Sequence, residues 1–269
     1  LNWNYEGVVL PISEAKGSDI EKGCIMERPK VIYNKQTGKF VMWFHLELKG
    51  RGYGPARAAV AVSDSPTGPY CFIRSARVNS SIYPLNMTKK EKRIKWNLSE
   101  YEKWWTPEWY EAVNRGLFVK RDLKGGQMSR DMTLFVDDDG KAYHIYSSAE
   151  NLTLHIAELT DDYLGHSGRY IRIFPGGHNE APAIFKKGNI DWMITSGCTG
   201  WIPNEARMFS ASSIWGPWEQ YPNPCRGQNS EKTFGGQSTF VLELPENRFI
   251  FMADVWKPKS LMYSGHIWL

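Results

Sequence analysis

Short apolar runs separated by turn-rich polar segments recur along the chain, and four of them share one grammar. Each has a polar residue, an apolar run, a turn of Asn, Asp, Gly, Lys or Pro, and a second apolar run. The four are ERPKVIYNKQTGKFVMWFH from Glu27, RDMTLFVDDDGKAYHIYSS from Arg130, EAPAIFKKGNIDWMITSG from Glu180 and QSTFVLELPENRFIFMAD from Gln237. β-rich runs bounded by such turns predict antiparallel hairpins. A third strand is predicted after each hairpin: ARAAVAVS, LTLHIAEL, ARMFSASS and YSGHIWL. SDSPTGPY (63 to 70) and ASSIWGPW (211 to 218) repeat one another in type and read as outer strands, with Gly68-Pro69 and Gly216-Pro217 at the same turn. Units of three to four strands that begin with the same kind of polar position predict an all-β fold, a β-propeller with about four blades visible. A β-sandwich also spaces its strands evenly, but its units would not share that starting position.

Residues 79 to 128 interrupt the repeat. The segment is polar, aromatic and partly helical in pattern, with Trp104, Trp105 and Trp109 close together. An insertion of this length suits a wall over a substrate groove as well as it suits a surface appendage or subunit contact. The rest reads as one domain over 1–269. LNWNYEGVVL looks like an outer strand with no inner strands before it. Two readings stay open: an upstream blade outside this sequence, or ring closure by the terminal strand.

Composition narrows the partners. Lys plus Arg is 33 and Asp plus Glu is 29, a net charge of +4. That is too mild for a nucleic-acid or acidic-membrane surface. No apolar run is long enough to span a membrane, and the first residues are no signal peptide. The 12 Trp, 13 Tyr and 12 Phe can fill a β core or line a groove for sugar faces. Cys24, Cys71, Cys198 and Cys225 show no metal-ligand spacing and are expected to be mostly free, packed thiols. DDDG (137 to 140) lacks the other ligands of a calcium loop and reads as a hairpin turn.

In a propeller the first strand of each blade lines the axis, so Glu27, Asp131, Glu180 and Gln237 are expected around one mouth. Three carboxylates in a concave site repel one another, and some should stay protonated near neutrality. A protonated acid beside an ionised neighbour is what glycosidic cleavage needs; convergent carboxylates would also suit Ca²⁺. His45 and His144, on second strands, read as structural, and His266 as a satisfied core histidine.

The motifs ERPKVIYN, SRDMTLFVDDDG, SSAENLTLHIAEL, EAPAIF, SGCTGWIPN and GGQSTF, in that order, resemble glycoside hydrolase family 43, and within it the exo-β-1,3-galactanase branch. The resemblance covers nearly the whole chain outside the insertion. It implies a five-bladed propeller and an inverting, exo-acting glycosidase that releases galactose from β-1,3-galactan of plant arabinogalactan. α-L-Arabinofuranosidase, β-xylosidase and galactofuranosidase activities on the same scaffold, or a non-catalytic carbohydrate-binding propeller, are the alternatives. Residue by residue, it implies that Glu180 is the general acid and Asp131 the group that tunes and orients it. Gln237 positions the attacking water, and Glu27 contacts the sugar or serves as the base. Tyr53, Asn151, Thr199, Trp201 and Asn204 line the sugar subsite. No cofactor is required, though a structural Ca²⁺ would fit the family. The partner is an oligo- or polysaccharide, and the location is secreted, periplasmic or at the cell surface. The oligomeric state is left open.

Overall fold

The computed structural model describes residues 4–200 and 202–257, and the backbone of 265–268. Four antiparallel sheets form in the order the repeats predict. The first holds β1 (Ile25–Asn34), β2 (Lys39–Glu47), β3 (Arg57–Ser63) and β4 (Cys71–Ala76). The second holds β5 (Met132–Val136), β6 (Ala142–Ser148), β7 (Thr153–Leu159) and β8 (His166–Ile173). The third holds β9 (Asn179–Lys187), β10 (Ile190–Gly197), β11 (Arg207–Ala211) and β12 (Glu219–Tyr221). The last is β13 (Gln237–Leu244), β14 (Arg248–Val255) and β15 (Gly265–Trp268).

Each sheet is a meander, and in the first two the second strand is buried on both faces: β6 throughout its length, and β2 over its last seven residues. Such strands read as continuous apolar runs because both faces meet a neighbouring blade. Val41, Trp43 and Val60 of the first blade pack on Met132, Leu134 and Tyr170 of the second. Ile145, Leu154 and Ile156 of the second meet Ile184, Met193 and Phe209 of the third. Ala183 and Ile194 then meet Val241 of the last. This face-to-face stacking of blades is propeller architecture. The outer strands β4 and β12 are short and mostly exposed, which limits edge pairing.

Three expectations change. The segments 63–70 and 211–218 are the turns before the outer strands, not the strands themselves; Gly68-Pro69 and Gly216-Pro217 are both cis and occupy equivalent places. The chain around Val9 is irregular rather than an outer strand. It lies against the first blade through Tyr70 N donating to Val9 O at 2.8 Å. Cys71 and Cys198 are exposed rather than packed, although all four cysteines are free. DDDG is the expected turn: Gly140 N donates to Asp137 O at 2.9 Å, and Lys186 holds Asp137 from the next blade at 2.5 Å.

The insertion is anchored. An antiparallel bridge between Val78 and Gln127 closes its base. It carries α1 (Lys89–Arg93), α2 (Pro107–Asn114) and α3 (Leu117–Arg121). Thr106 caps α2, with Pro107 in the first turn, where a missing N–H is harmless. At the other end of α2, buried Arg172 of β8 donates to Val113 O at 3.2 Å and Asn114 O at 2.7 Å, where a cation suits the carbonyl end of a helix. Asn86 pairs both ways with the Arg172 backbone, Nδ2 to O at 2.7 Å and N to Oδ1 at 3.2 Å.

Candidate active site

Glu27 and Glu180 open β1 and β9 in the same way. Each begins a Glu-x-Pro triplet, Glu27-Arg28-Pro29 and Glu180-Ala181-Pro182, and each triplet forms a bulge. Glu27 pairs with His45 and the next pair is Lys30 with Trp43; Glu180 pairs with Ser196 and the next is Ala183 with Ile194. The middle residues, Arg28 at φ 54° and Ala181 at φ 50°, are left-handed. Proline has no amide to lose where the ladder is already broken, so it fits there. β13 also shifts register, between Ser238 and Phe240, just after Gln237. The bulges turn the strand starts toward the common mouth.

The second and last blades take up the Ala181 backbone. Asp131 Oδ2 accepts from Ala181 N at 3.1 Å, and Ser238 Oγ donates to Ala181 O at 2.5 Å. Asp131 therefore sits directly behind the residue that follows Glu180. Asn151 Nδ2 donates to Glu180 Oε1 at 2.7 Å, from a turn in which Ala149, Glu150 and Asn151 are all left-handed. Backbone strain of this kind marks sites where presentation outweighs local comfort. Burial, and then the neighbouring charge of Asp131, push the Glu180 carboxyl up to about 7, against hydrogen bonds from Cys198 and Asn151 and the charge of Arg28.

Glu27 is shifted the other way. Burial alone would raise it, but His45 and Tyr53 hydrogen bonds and the charges of His45 and Arg28 outweigh burial and hold it below its ordinary value. Tyr53 OH donates to Glu27 Oε1 at 2.8 Å, and His45 Nδ1 lies 3.1 Å from Oε2. His45 Nε2 in turn lies 2.8 Å from Oε1 of the fully buried Glu47, whose Oε2 accepts from Ala56 N at 2.8 Å. Burial lowers His45, yet its two glutamates more than compensate and raise it.

Between the acids stands Arg28, buried, with Nη2 3.4 Å from Asp131 and Nη1 2.6 Å from Asp254 Oδ2. Arg28 Nη2 also donates to Gln237 Oε1, and the guanidinium lies over the Trp256 ring at 5.4 Å. Trp256 Nε1 donates to the same Gln237 oxygen at 2.9 Å, and Gln237 Nε2 donates to Ser196 Oγ at 2.9 Å. Because Arg and Trp only donate, the orientation of the Gln237 amide is fixed. The convergent acids meet a guanidinium, and among the described residues no group of three or more His, Cys, Asp or Glu could hold a metal. The site does not fit a calcium ion on these residues.

Most of the expected residues meet at this mouth. Glu27, Asp131, Glu180 and Gln237 converge, with Tyr53 and Asn151 hydrogen-bonded to two of them. Thr199 and Asn204 frame a loop: Asn204 Nδ2 donates to Thr199 Oγ1 at 2.6 Å, and Gly197 N donates to Asn204 Oδ1 at 2.7 Å. Asn204 lines a cavity shared with Ser196, Gln237 and Trp256. Trp201 and the side chain of His266 lie outside the described residues. Arg28, Asp254, Trp256, His45 and Cys198 also belong to the site. The repeated Glu-x-Pro triplet was the sequence signal for Arg28, because a cation there is forced into the mouth between the acids.

Against known proteins, the model of the family "Glycosyl hydrolases family 43" matches residues 101–253. A solved β-1,3-galactosidase, with galactodeoxynojirimycin, is 73% identical over all of this chain and 78% of its own, with a TM-score of 0.98. An exo-β-1,3-galactanase from Clostridium thermocellum is 33% identical, covering all of this chain and 50% of its own, with a TM-score of 0.74. A β-D-galactofuranosidase of Aspergillus niger is 26% identical over 145 residues, 49% of this chain and 42% of that protein. The chain spans less than half the length of that curated relative.

Proposed function

Given that the chain belongs to glycosyl hydrolase family 43, we propose that it is an inverting, exo-acting glycosidase that releases galactose from β-1,3-linked galactan. The arrangement that carries this is two blade-start carboxyls with opposite surroundings: burial and then the Asp131 charge push Glu180 up to about 7, while Glu27, against Tyr53 OH at 2.8 Å and His45 at 3.1 Å, is held below its ordinary value. Two titratable groups separated in this way supply an acid and a base at one pH.

Glu180 gives its proton to the departing glycosidic oxygen. Burial, and then the Asp131 charge, keep that proton on Glu180 until the bond breaks, and through the Ala181 amide Asp131 fixes the start of β9. Charge then develops at the anomeric carbon, and a water attacks from the opposite face. Gln237 orients that water, and Glu27, placed at the sugar, accepts the water's proton. Tyr53 and Asn151 set the two carboxyls at the sugar. The galactose preference is supported by the β-1,3-galactosidase and galactanase that this chain resembles at 73% and 33% identity. A glycan-degrading family points to action on external polysaccharide. Among the described residues no helix is long and apolar enough to cross a membrane.

The test is galactose release from β-1,3-galactan, with the first-formed anomer read by NMR. Wild type should release α-galactose, and Glu180→Gln should be inactive. Release of β-galactose, or turnover of aryl arabinofuranosides in place of galactan, would overturn the reading.

A further inference from the structure

A second cavity adjoins the first. It is lined by Trp105, His178, Cys198, Asn204, Glu205 and Arg207, among others, and shares Asn204 with the cavity at Gln237. Cys198 is hydrogen-bonded to Glu180, so the proposed acid lies on the border between the two. The insertion contributes Trp105, whose ring lies 4.9 Å from His178, tilted by 31°. Trp105 is 54% exposed and left-handed at φ 71°. Behind it, at 5.1 Å, stands fully buried Trp109, the core of the insertion. His178 is fixed from below: Arg207 Nη1 donates to Gly177 O at 2.6 Å and to His178 O at 3.2 Å.

A general acid must stand between the sugar that is released and the one that departs with the oxygen it protonates. One cavity here holds Gln237, the group proposed for the attacking water. The other, which adjoins Glu180 through Cys198, offers the half-exposed Trp105 ring amid polar groups, the make-up of a ligand site. We propose that Trp105, with His178 packed against its ring, is the platform for the leaving sugar, a pyranose on the reducing-end side of the cleaved bond. The inference rests on the glycosidase reading above. On this reading the insertion carries a stacking ring to the departure side of Glu180, backed by the buried Trp109.

The experiment compares β-1,3-galactobiose with β-galactosyl fluoride, whose leaving group needs no platform. For Trp105→Ala, the ratio of kcat/KM on the disaccharide to kcat/KM on the fluoride should fall about tenfold, the scale of one lost aromatic contact. Trp105→Phe should recover part of it. An unchanged ratio would overturn the platform while leaving the glycosidase reading intact. If wild type cleaves neither compound, the glycosidase reading fails. Calorimetric titration then decides the platform: Trp105→Ala must weaken galactobiose but not galactose, and equal effects on both sink it.

Discussion

Replacing Glu180 with Gln removes one titration and almost nothing else. The amide keeps an oxygen where Oε1 accepts from Asn151, so packing and the Asn151 contact persist. In wild type the carboxyl moves from an ordinary 4.5 to about 7 in the fold, first through burial and then through the Asp131 charge. The unfolded chain therefore gives up this proton near 4.5 and the native chain near 7. Between those values the native state holds more protons, so wild-type stability falls as pH rises. Below 4.5 the carboxyl is neutral in both states and the penalty vanishes; above about 7 it is complete. At about 1.36 kcal/mol for each tenfold change in proton affinity, the full penalty is about 3 kcal/mol.

Gln carries no such penalty, and all other titrating groups are common to both proteins. The Gln variant should therefore gain on wild type as pH rises. The gap in unfolding free energy should widen by about 3 kcal/mol between pH 4.5 and about pH 8, or by roughly 6–12 °C in Tm for a domain of this size. Urea titration of both proteins across that range measures it. A gap that stays constant with pH, or widens toward acid, would refute the raised Glu180 carboxyl. The same proton sets the activity: the alkaline limb of wild-type turnover should fall where the stability gap opens.

Asp131→Asn removes the second cause of the Glu180 shift but not burial, so the alkaline limb of the pH–kcat/KM profile should move to lower pH without reaching the ordinary carboxyl range; an unmoved limb would count against Asp131 as the tuning group. His45→Gln removes the imidazole whose hydrogen bond and charge hold Glu27 low, and the acid limb of that profile should move to higher pH. Arg28→Met leaves Asp131 and Asp254 without their buried partner and should cost about 3–5 kcal/mol of stability by denaturant titration. Arg172→Met frees the carbonyl end of α2, and limited proteolysis should then cut within the insertion faster than in wild type.

Much of this was legible in the chain because a propeller repeats itself. The polar residue that opens each hairpin, Glu27, Asp131, Glu180 or Gln237, recurs at one structural position, and the apolar runs after it set the strands. What was missed lies where local pattern and tertiary demand part. SDSPTGPY and ASSIWGPW recur as turns, because Gly-Pro pairs mark chain reversals more firmly than the few polar residues of β4 or β12 mark strands. The crowded carboxylates were read without their counter-ion. Arg28 looks like an ordinary polar strand residue until the left-handed bulge turns it inward. The insertion shows its Trp cluster in sequence, but only folding shows that Arg172 and Asn86 pin it beside His178.

Arg28 also explains how one mouth holds carboxyls in opposite states. A cation equidistant from all of them would lower each alike. Here it is engaged by Asp131, Asp254 and Gln237, which leaves Glu180 with burial and the Asp131 charge as its dominant influences. Glu27 has a second cation of its own, because His45 is raised by two glutamates and lies 3.1 Å away. The two blade-start glutamates share a triplet, a bulge and a backbone conformation, yet one is surrounded by donors and the other faces an acid. Identical local geometry with opposite neighbours is how one repeated motif holds one carboxyl above its ordinary value and the other below it. The asymmetry comes from the second strands: His45 stands opposite Glu27, and neutral Ser196 stands opposite Glu180.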